Sequence, residues 1–236
     1  MTVFAVLYDN VTSKAYDISN VIFDIEITTK LFDDPGKATF KLVKAGDFKF
    51  NEGATVAIQV DGVKMFLGYV FVRKWNTDNT IVEVTCYDQL RYLKAKDSLV
   101  FEGMTSDQIF SQVCSRLMLN YKVRDKSSYV CARRNNANTS YYDMIKRALD
   151  ETIINSGKYY IIRDNYGTLE HVNVFSLQPG VMLGDKSGLL SYNYEISIDK
   201  ETYNQIKLYK EDTKNNTREV YLVNDTINGG KTIKQW

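Results

Sequence analysis

Few residues in this chain have types and spacing suited to covalent chemistry. Its 236 residues hold one histidine, His171, and three cysteines, Cys86, Cys114 and Cys131. A Ser-His-Asp or Cys-His relay would have to run through that single imidazole. No G-x-S-x-G turn offers a serine nucleophile. His171 lies in a segment of strand character, where a histidine is far more often structural or superficial than catalytic. One histidine and scattered cysteines do not furnish a typical four-ligand zinc site, and no C-x-x-C pair is present. Asp33-Asp34 and Asp88 do not fit a calcium loop, and glycine-rich phosphate loops are absent. Arg133-Arg134 could grip a phosphate or a carboxylate, but an exposed loop charge explains the pair better. We therefore assign no catalytic, cofactor-binding or metal-binding residue and expect neither a cofactor nor an enzyme. Carboxylates paired by folding, as in a wall hydrolase, are the one enzymatic route left open.

Composition narrows the partners. Thirty Lys and Arg balance 29 Asp and Glu, for a formal net charge of +1. That balance argues against general or sequence-specific nucleic-acid binding. No stretch approaches the roughly 20 apolar residues of a membrane helix, so no membrane partner is expected. Met1–Asn10 lacks the basic and apolar regions of a signal peptide. Cysteines odd in number and widely spaced read as reduced thiols, not a disulfide framework. The 17 tyrosines suit strand surfaces and assembly interfaces.

Any functional geometry must come from the elements that place these residues. The most legible are in residues 139–174. Thr139 and Ser140 supply N-cap oxygens, and Asp143 sits near the positive end of a helix. Tyr141, Ile145, Ala148, Leu149 and Thr152 share one face, predicted to be core. Asn155-Ser156-Gly157 ends the helix. Tyr159–Ile162 and Leu169–Val174 then flank Asp164-Asn165-Tyr166-Gly167 as a hairpin. Upstream, Thr105 and Gln108 have capping-box spacing. They open a helix striped by Ile109, Val113 and Leu117, with Phe110 and Met118 beside the stripe and an end near Asn120. Tyr121–Val123 reads as a short strand and residues 125–138 as a polar loop.

The flanks read as strands. Val3–Tyr8 is the first. In Val21–Thr29, Val21, Phe23, Ile25 and Ile27 form one face. Asp33-Asp34-Pro35-Gly36 turns the chain into Lys37–Val43, where Ala38, Phe40 and Leu42 alternate. Asp61-Gly62 joins Val56, Ile58 and Val60 to Val63, Met65 and Leu67 as a hairpin. Leu67–Arg73 and Ile81–Tyr87 continue across Asn76–Asn79. About six strands at this spacing favour a barrel over a sandwich. Beyond Pro179-Gly180, Leu190–Ile198, Tyr203–Lys210 and Arg218–Val223 resume strands. Phe23–Thr28 lines up with Tyr192–Ser197, and Phe40–Lys44 with Ile206–Lys210, as a faint repeat. The fold class is α+β, mostly β. It divides into a β-barrel at 1–97, a central α/β module at 98–188 and a second β domain at 189–236. Three strands are thin for that last domain, which reads as shortened or as covered in an assembly.

A family resemblance enters at Val84-Thr85-Cys86-Tyr87-Asp88-Gln89-Leu90-Arg91-Tyr92-Leu93. A strand running into Tyr-Asp-x-Leu-Arg-Tyr-Leu resembles the junction in the XkdQ/YqbQ family of phage tail proteins. These belong with the baseplate hub proteins of contractile-tailed phages and PBSX-like particles. The resemblance continues through Phe101–Leu119 and Ser140–Val174 and covers most of residues 1–224, resting on the order of the pieces. It implies two tube-like β domains around the α/β module, the second incomplete because relatives run on further. It implies a structural hub, homotrimeric when complete, that joins a sixfold tail tube to a threefold spike. Its partners would be the tail tube protein, the central spike and other baseplate proteins. Its place would be the virion tail or baseplate, assembled in the cytoplasm of the bacterial host. Within the junction, Asp88 and Arg91 are spaced to cap and pair across one helical turn. The alternative is a peptidoglycan- or carbohydrate-binding module. The helix at 105–118 with its flanking strands is faintly similar to the LysM fold, and tyrosines would stack on sugars.

Overall fold

In this computed structural model the described residues are 2–31, 34–44, 49–75, 80–178, 191, 193–195, 205–212 and 215–224. Seven strands form one antiparallel sheet. They are β1 (Val3–Asp9), β2 (Lys14–Asp17), β3 (Ile22–Thr28), β4 (Lys37–Val43), β5 (Thr55–Val60), β6 (Val63–Trp75) and β7 (Ile81–Tyr87). Their order is β2-β1-β5-β6-β7-β4-β3, curled into a half-barrel. One face buries Leu7, Ala38, Phe40, Leu42, Val56, Ile58, Val82, Val84 and Cys86 as an apolar core. The barrel expectation holds in that one curled sheet encloses its own core. Among the described residues, strands β2 and β3 remain as its two edges.

Two bulges overturn predicted faces. Asp24 takes the left-handed conformation (φ 51°), and the β3–β4 register shifts between Phe23 and Glu26. Ile22, Ile25 and Ile27 therefore pack on the core while Phe23 turns out. On β6, Phe66 pairs with Ile58 and Lys64 with Gln59, leaving Met65 as the extra residue. Phe66 is buried, whereas Val63 and Met65 are exposed. An extra residue in one strand flips the alternation beyond it, because side chains switch faces with a period of two.

After β7 a short 3-10 helix, Gln89–Lys94, leads the chain toward the α/β module. The chain continues through β8 (Lys96–Phe101), α1 (Ser106–Arg116), β9 (Tyr121–Val123), β10 (Arg134–Ser140), α2 (Tyr141–Ser156), β11 (Tyr160–Asp164) and β12 (Leu169–Asn173). The capping box of α1 forms, with the Thr105 N–H donating to Gln108 at 2.9 Å. Met118 leaves that helix in the left-handed conformation and points to solvent, so it does not flank the buried stripe. The polar stretch Arg134–Ser140 is a strand, not a loop: it pairs with β8 from Arg134–Phe101 to Ser140–Lys96. Its order comes from the main-chain ladder and from Asn136, which donates to the Leu99 carbonyl at 3.3 Å. A second sheet runs β11-β12-β9, with β9 parallel to β12.

Helix α2 starts on Ser140, whose hydroxyl accepts the Asp143 N–H at 3.1 Å. Thr139 instead lies in β10 and donates to the Ala137 carbonyl. Gly157 closes the helix at φ 66°, its N–H reaching the Ile153 carbonyl at 2.9 Å; a Cβ there would be strained. The buried face holds Tyr141, Tyr142, Met144, Ile145, Ala148 and Thr152. Leu149, predicted to be core, is half-buried, because the face is turned toward Tyr142 and Met144.

Contacts divide the chain at Pro179. In the second unit, β13 (Gln205–Asp212) and β14 (Thr217–Asn224) form an antiparallel pair. They match the predicted strands at 203–210 and 218–223. The turn Asn76–Asn79, Asp33, Pro179-Gly180, Leu190, Tyr192, residues 196–198 and Tyr203-Asn204 lie outside the described residues, and the described part of the predicted 190–198 strand, Ser191 and Asn193–Glu195, is not in a strand. No helix among the described residues is long and apolar enough to cross a membrane.

Candidate functional site

The one imidazole has a serine partner after all. His171 Nδ1 lies 2.8 Å from the Asp125 carbonyl oxygen, so it must donate there. Nε2 is then unprotonated and accepts the Ser106 hydroxyl at 3.2 Å. This is the polarity of a nucleophile–base pair, but both residues are fully buried. The ring stacks on Tyr160 at 5.0 Å between centroids and tilts against Phe110. Burial holds the imidazole below its usual pKa, outweighing the Asp125 bond, so it stays neutral. A relay that meets neither solvent nor substrate fixes the fold: it ties the start of α1 to β12 and the loop after β9. The three cysteines are also buried and free. Burial pushes the Cys114 thiol up to about 12 and raises Cys86 further, which makes both poor nucleophiles. Among the described residues, no group of three or more His, Cys, Asp or Glu is placed to hold a metal.

The polar groups that do converge sit where the curled sheet meets the module. Asp88 caps the 3-10 helix, accepting the Leu90 N–H at 3.0 Å. Its other oxygen accepts the Gly36 N–H at 2.8 Å, tying the approach to β4 into the joint. Asp164 accepts the Gly167 and Gln89 N–H groups at 2.6 and 3.3 Å, and the Gln89 amide donates to the Gly167 carbonyl. Burial, then repulsion from Asp164, pushes the Asp88 carboxyl up to about 7; burial raises Asp164 as well. The β11–β12 turn also docks on the sheet. Gln59 donates to the Tyr166 hydroxyl at 3.3 Å, and the Lys64 ammonium sits 5.0 Å from the Tyr166 ring. At Gly167 (φ 83°) an added Cβ would meet Leu67 Cδ2 at 2.8 Å. The joint is therefore close-packed and hydrogen-bonded on both sides.

Nearby charges are used structurally. Buried Glu170 takes Arg163 at 2.8 Å, Arg124 at 3.5 Å and Asn165 at 3.1 Å. Burial raises its pKa, but the bonds from Arg163 and Asn165 win and hold the carboxyl below its usual range. Arg133 is an exposed charge 3.4 Å from Glu102, as the sequence suggests. Arg134 instead anchors β10 to α2 through Glu151 at 3.1 Å. Arg91 does not pair with Asp88; its guanidinium lies over the Phe71 and Tyr87 rings at 5.6 and 5.8 Å. No local pattern announces this joint: its partners are separated by 52 to 107 positions. The readable hints are the junction motif and the Asp164–Gly167 turn.

A family model described as YQBQ-like matches residues 25–236. The chain is 27% identical over 169 residues to the phage-like element PBSX protein XkdQ of Bacillus subtilis strain 168, covering 67% of this chain and 50% of that protein. It is 28% identical over 199 residues to protein YqbQ of the same strain, covering 79% and 58%. It thus spans about half the length of these relatives. The fold is similar to the 43 kDa tail protein of prophage MuSo2 from Shewanella oneidensis, with a TM-score of 0.57 and 16% identity over 72% of this chain and 52% of that one.

Proposed function

This chain belongs to the YQBQ-like family, and on that premise we propose that it is a structural component of a phage or phage-like tail, the hub at its baseplate. In this reading it joins a sixfold tail tube to a threefold spike. It works as a homotrimer when complete, with the tube protein, the spike and other baseplate proteins as partners. It is assembled in the cytoplasm of the bacterial host and makes or breaks no covalent bond. Residues 1–97 and 189–236 are its tube-like parts, with the module at 98–188 between them.

One observation carries the reading: among the described residues the curled sheet ends in two edge strands and exposes apolar side chains on its outer face, among them Phe4, Tyr8 and Val43. Edges of this kind invite pairing with other chains, and a ring of subunits covers them. The β13–β14 pair points the same way, because Leu208, Tyr209, Val220 and Tyr221 are all exposed. Among the described residues it is a two-stranded ribbon, and such a ribbon alone is marginal in water and needs a cover. The carbohydrate alternative would need free aromatic faces. Tyr69, Phe71, Tyr87 and Tyr92 do not offer them, since they pack on one another at 5.4 to 6.0 Å between centroids, but Tyr8, Tyr194 and Tyr221 are exposed, so cell-wall binding decides that reading.

The test is electron microscopy and sedimentation of the full-length protein mixed with its tube and spike proteins. Rings with a central channel are expected. A strictly monomeric protein at high concentration, with both partners present, contradicts the hub. Co-sedimentation with purified cell wall would favour the carbohydrate reading.

A further inference from the structure

The chain crosses from the curled sheet to the module once, through the 3-10 helix Gln89–Lys94. Two carboxylates stand at that crossing. Asp88, 6% exposed, accepts only the main-chain N–H groups of Gly36 and Leu90. Asp164, at the end of β11, accepts those of Gly167 and Gln89. These bonds fasten the approach to β4 and the β11–β12 turn to the crossing. Among the described residues neither carboxylate has an ion-pair partner, so amide dipoles alone meet their charge.

The cations around the joint are engaged elsewhere. Arg91 lies over the Phe71 and Tyr87 rings, and Lys94 over the Tyr142 ring. Arg163 and Arg124 hold Glu170, Lys64 sits over Tyr166, and Lys30 pairs with Asp34. The remaining titratable neighbours bring no positive charge. Tyr69, from β6, lies in the field of Asp164, and Tyr92 packs edge-on against Tyr69. Glu170, from β12, adds to the repulsion on Asp164. Burial, then the Asp164 charge, pushes Asp88 up to about 7, and burial raises Asp164. For groups raised in this way, the closed joint gains most in acid and loses that gain as the pH rises through the folded values.

We propose that the joint is a proton-operated latch: with a proton on the Asp88–Asp164 pair the sheet and the module are held in one orientation, and loss of that proton leaves two charges side by side and lets the halves swing about the 3-10 helix. Each half keeps its own core throughout, because those cores hold neither carboxylate. The latch belongs to the chain by itself. It needs no ring and no spike, so it stands apart from the hub reading.

The test uses the full chain with spin labels on Val11→Cys, beside the sheet, and Ile154→Cys, in the module. These positions are 72% and 80% exposed, and the three native cysteines are buried. Pulsed electron spin resonance should give one narrow distance at about pH 5 and, at about pH 8, a second population at least about threefold larger than at pH 5. Asp88→Asn and Asp164→Asn each remove one charge of the pair, and both should keep the narrow distance at either pH. Carboxyl carbon NMR of the parent chain should show the pair releasing its last proton near neutrality. Three results overturn the proposal: the same distances in the parent at both pH values, broadening in both Asn variants equal to the parent's, or both carboxyls fully ionised by about pH 5. The two measurements on the parent side chains need neither Asn variant, so a variant that misfolds leaves them decisive.

Discussion

The curled sheet puts its apolar residues inside and leaves its margins open. Ala5 to Cys86 supply a core with almost no polar group in it, while the outer face and the strands β2 and β3 remain available. The module does the reverse. It draws Ser106, Asp107, Asn136, Glu170 and His171 into its interior and partners each of them. Among the described residues, no buried side-chain nitrogen or oxygen is left unbonded. Fully paired polar interiors specify one arrangement, since any slippage leaves a buried group unsatisfied. Open ladders tolerate, and invite, more strands. The sheet is thus suited to repetition and the module to keeping a fixed shape, with the Asp88–Asp164 joint transmitting that shape between them.

The comparison is broken most severely by opening the module. Phe110→Ala removes a fully buried ring that packs against Tyr121 and His171. Urea unfolding should show a loss of about 3–5 kcal/mol. A loss below about 1 kcal/mol would mean that the module core is not closed as described. Ile145→Ala, on the buried face of α2, should cost about 2–5 kcal/mol, and Leu149→Ala, half-buried, about half as much. Equal costs would place both residues in the core.

Titration separates the regions in a different way. His171 is held below its unfolded value near 6.5. Its contribution is present above that pH and is lost as the pH falls through the depressed folded value. Asp88 is raised from 3.8 to about 7, so its contribution is present in acid and is lost as the pH rises from about 4 through 7. The module alone should weaken in acid, and the joint should weaken toward neutrality. His171→Gln should flatten the acid limb of a stability–pH curve, and Asp88→Asn the limb between about pH 4 and 7. Unchanged slopes in either variant would reassign the titrating group.

The smallest effect on stability is expected at the outer face. Phe4→Ser with Met65→Ser should stay within about 0.5 kcal/mol of the parent, since both are about half exposed, while weakening association. A large loss of stability would show that this face is packed in the monomer.

These differences also explain what could be read from the residues. Lys37–Val43 and Ile81–Tyr87 announce their faces, because each alternates without interruption, and α2 announces both ends through Ser140 and Gly157. The faces of β3 and β6 are not legible in the residues, because one extra residue, Asp24 or Met65, shifts the phase without changing composition. Strand β10 carries no strand signal of its own, because Arg134–Ser140 is polar and owes its order to a partner strand more than 30 positions away. The buried pairing of Ser106 with His171 spans 65 positions and carries no motif. Burial of both residues leaves the pair without access to solvent.

The central claim is that the sheet makes the joints while the module holds its shape. Hydrogen exchange, comparing the free chain with the same chain in assembled tail particles, tests it most directly. The account predicts strong new protection at the edge strands Lys14–Asp17 and Ile22–Thr28, with Ser106–Arg116 unchanged because it is already closed. Unchanged edges, with new protection confined to Ser106–Arg116, would contradict it.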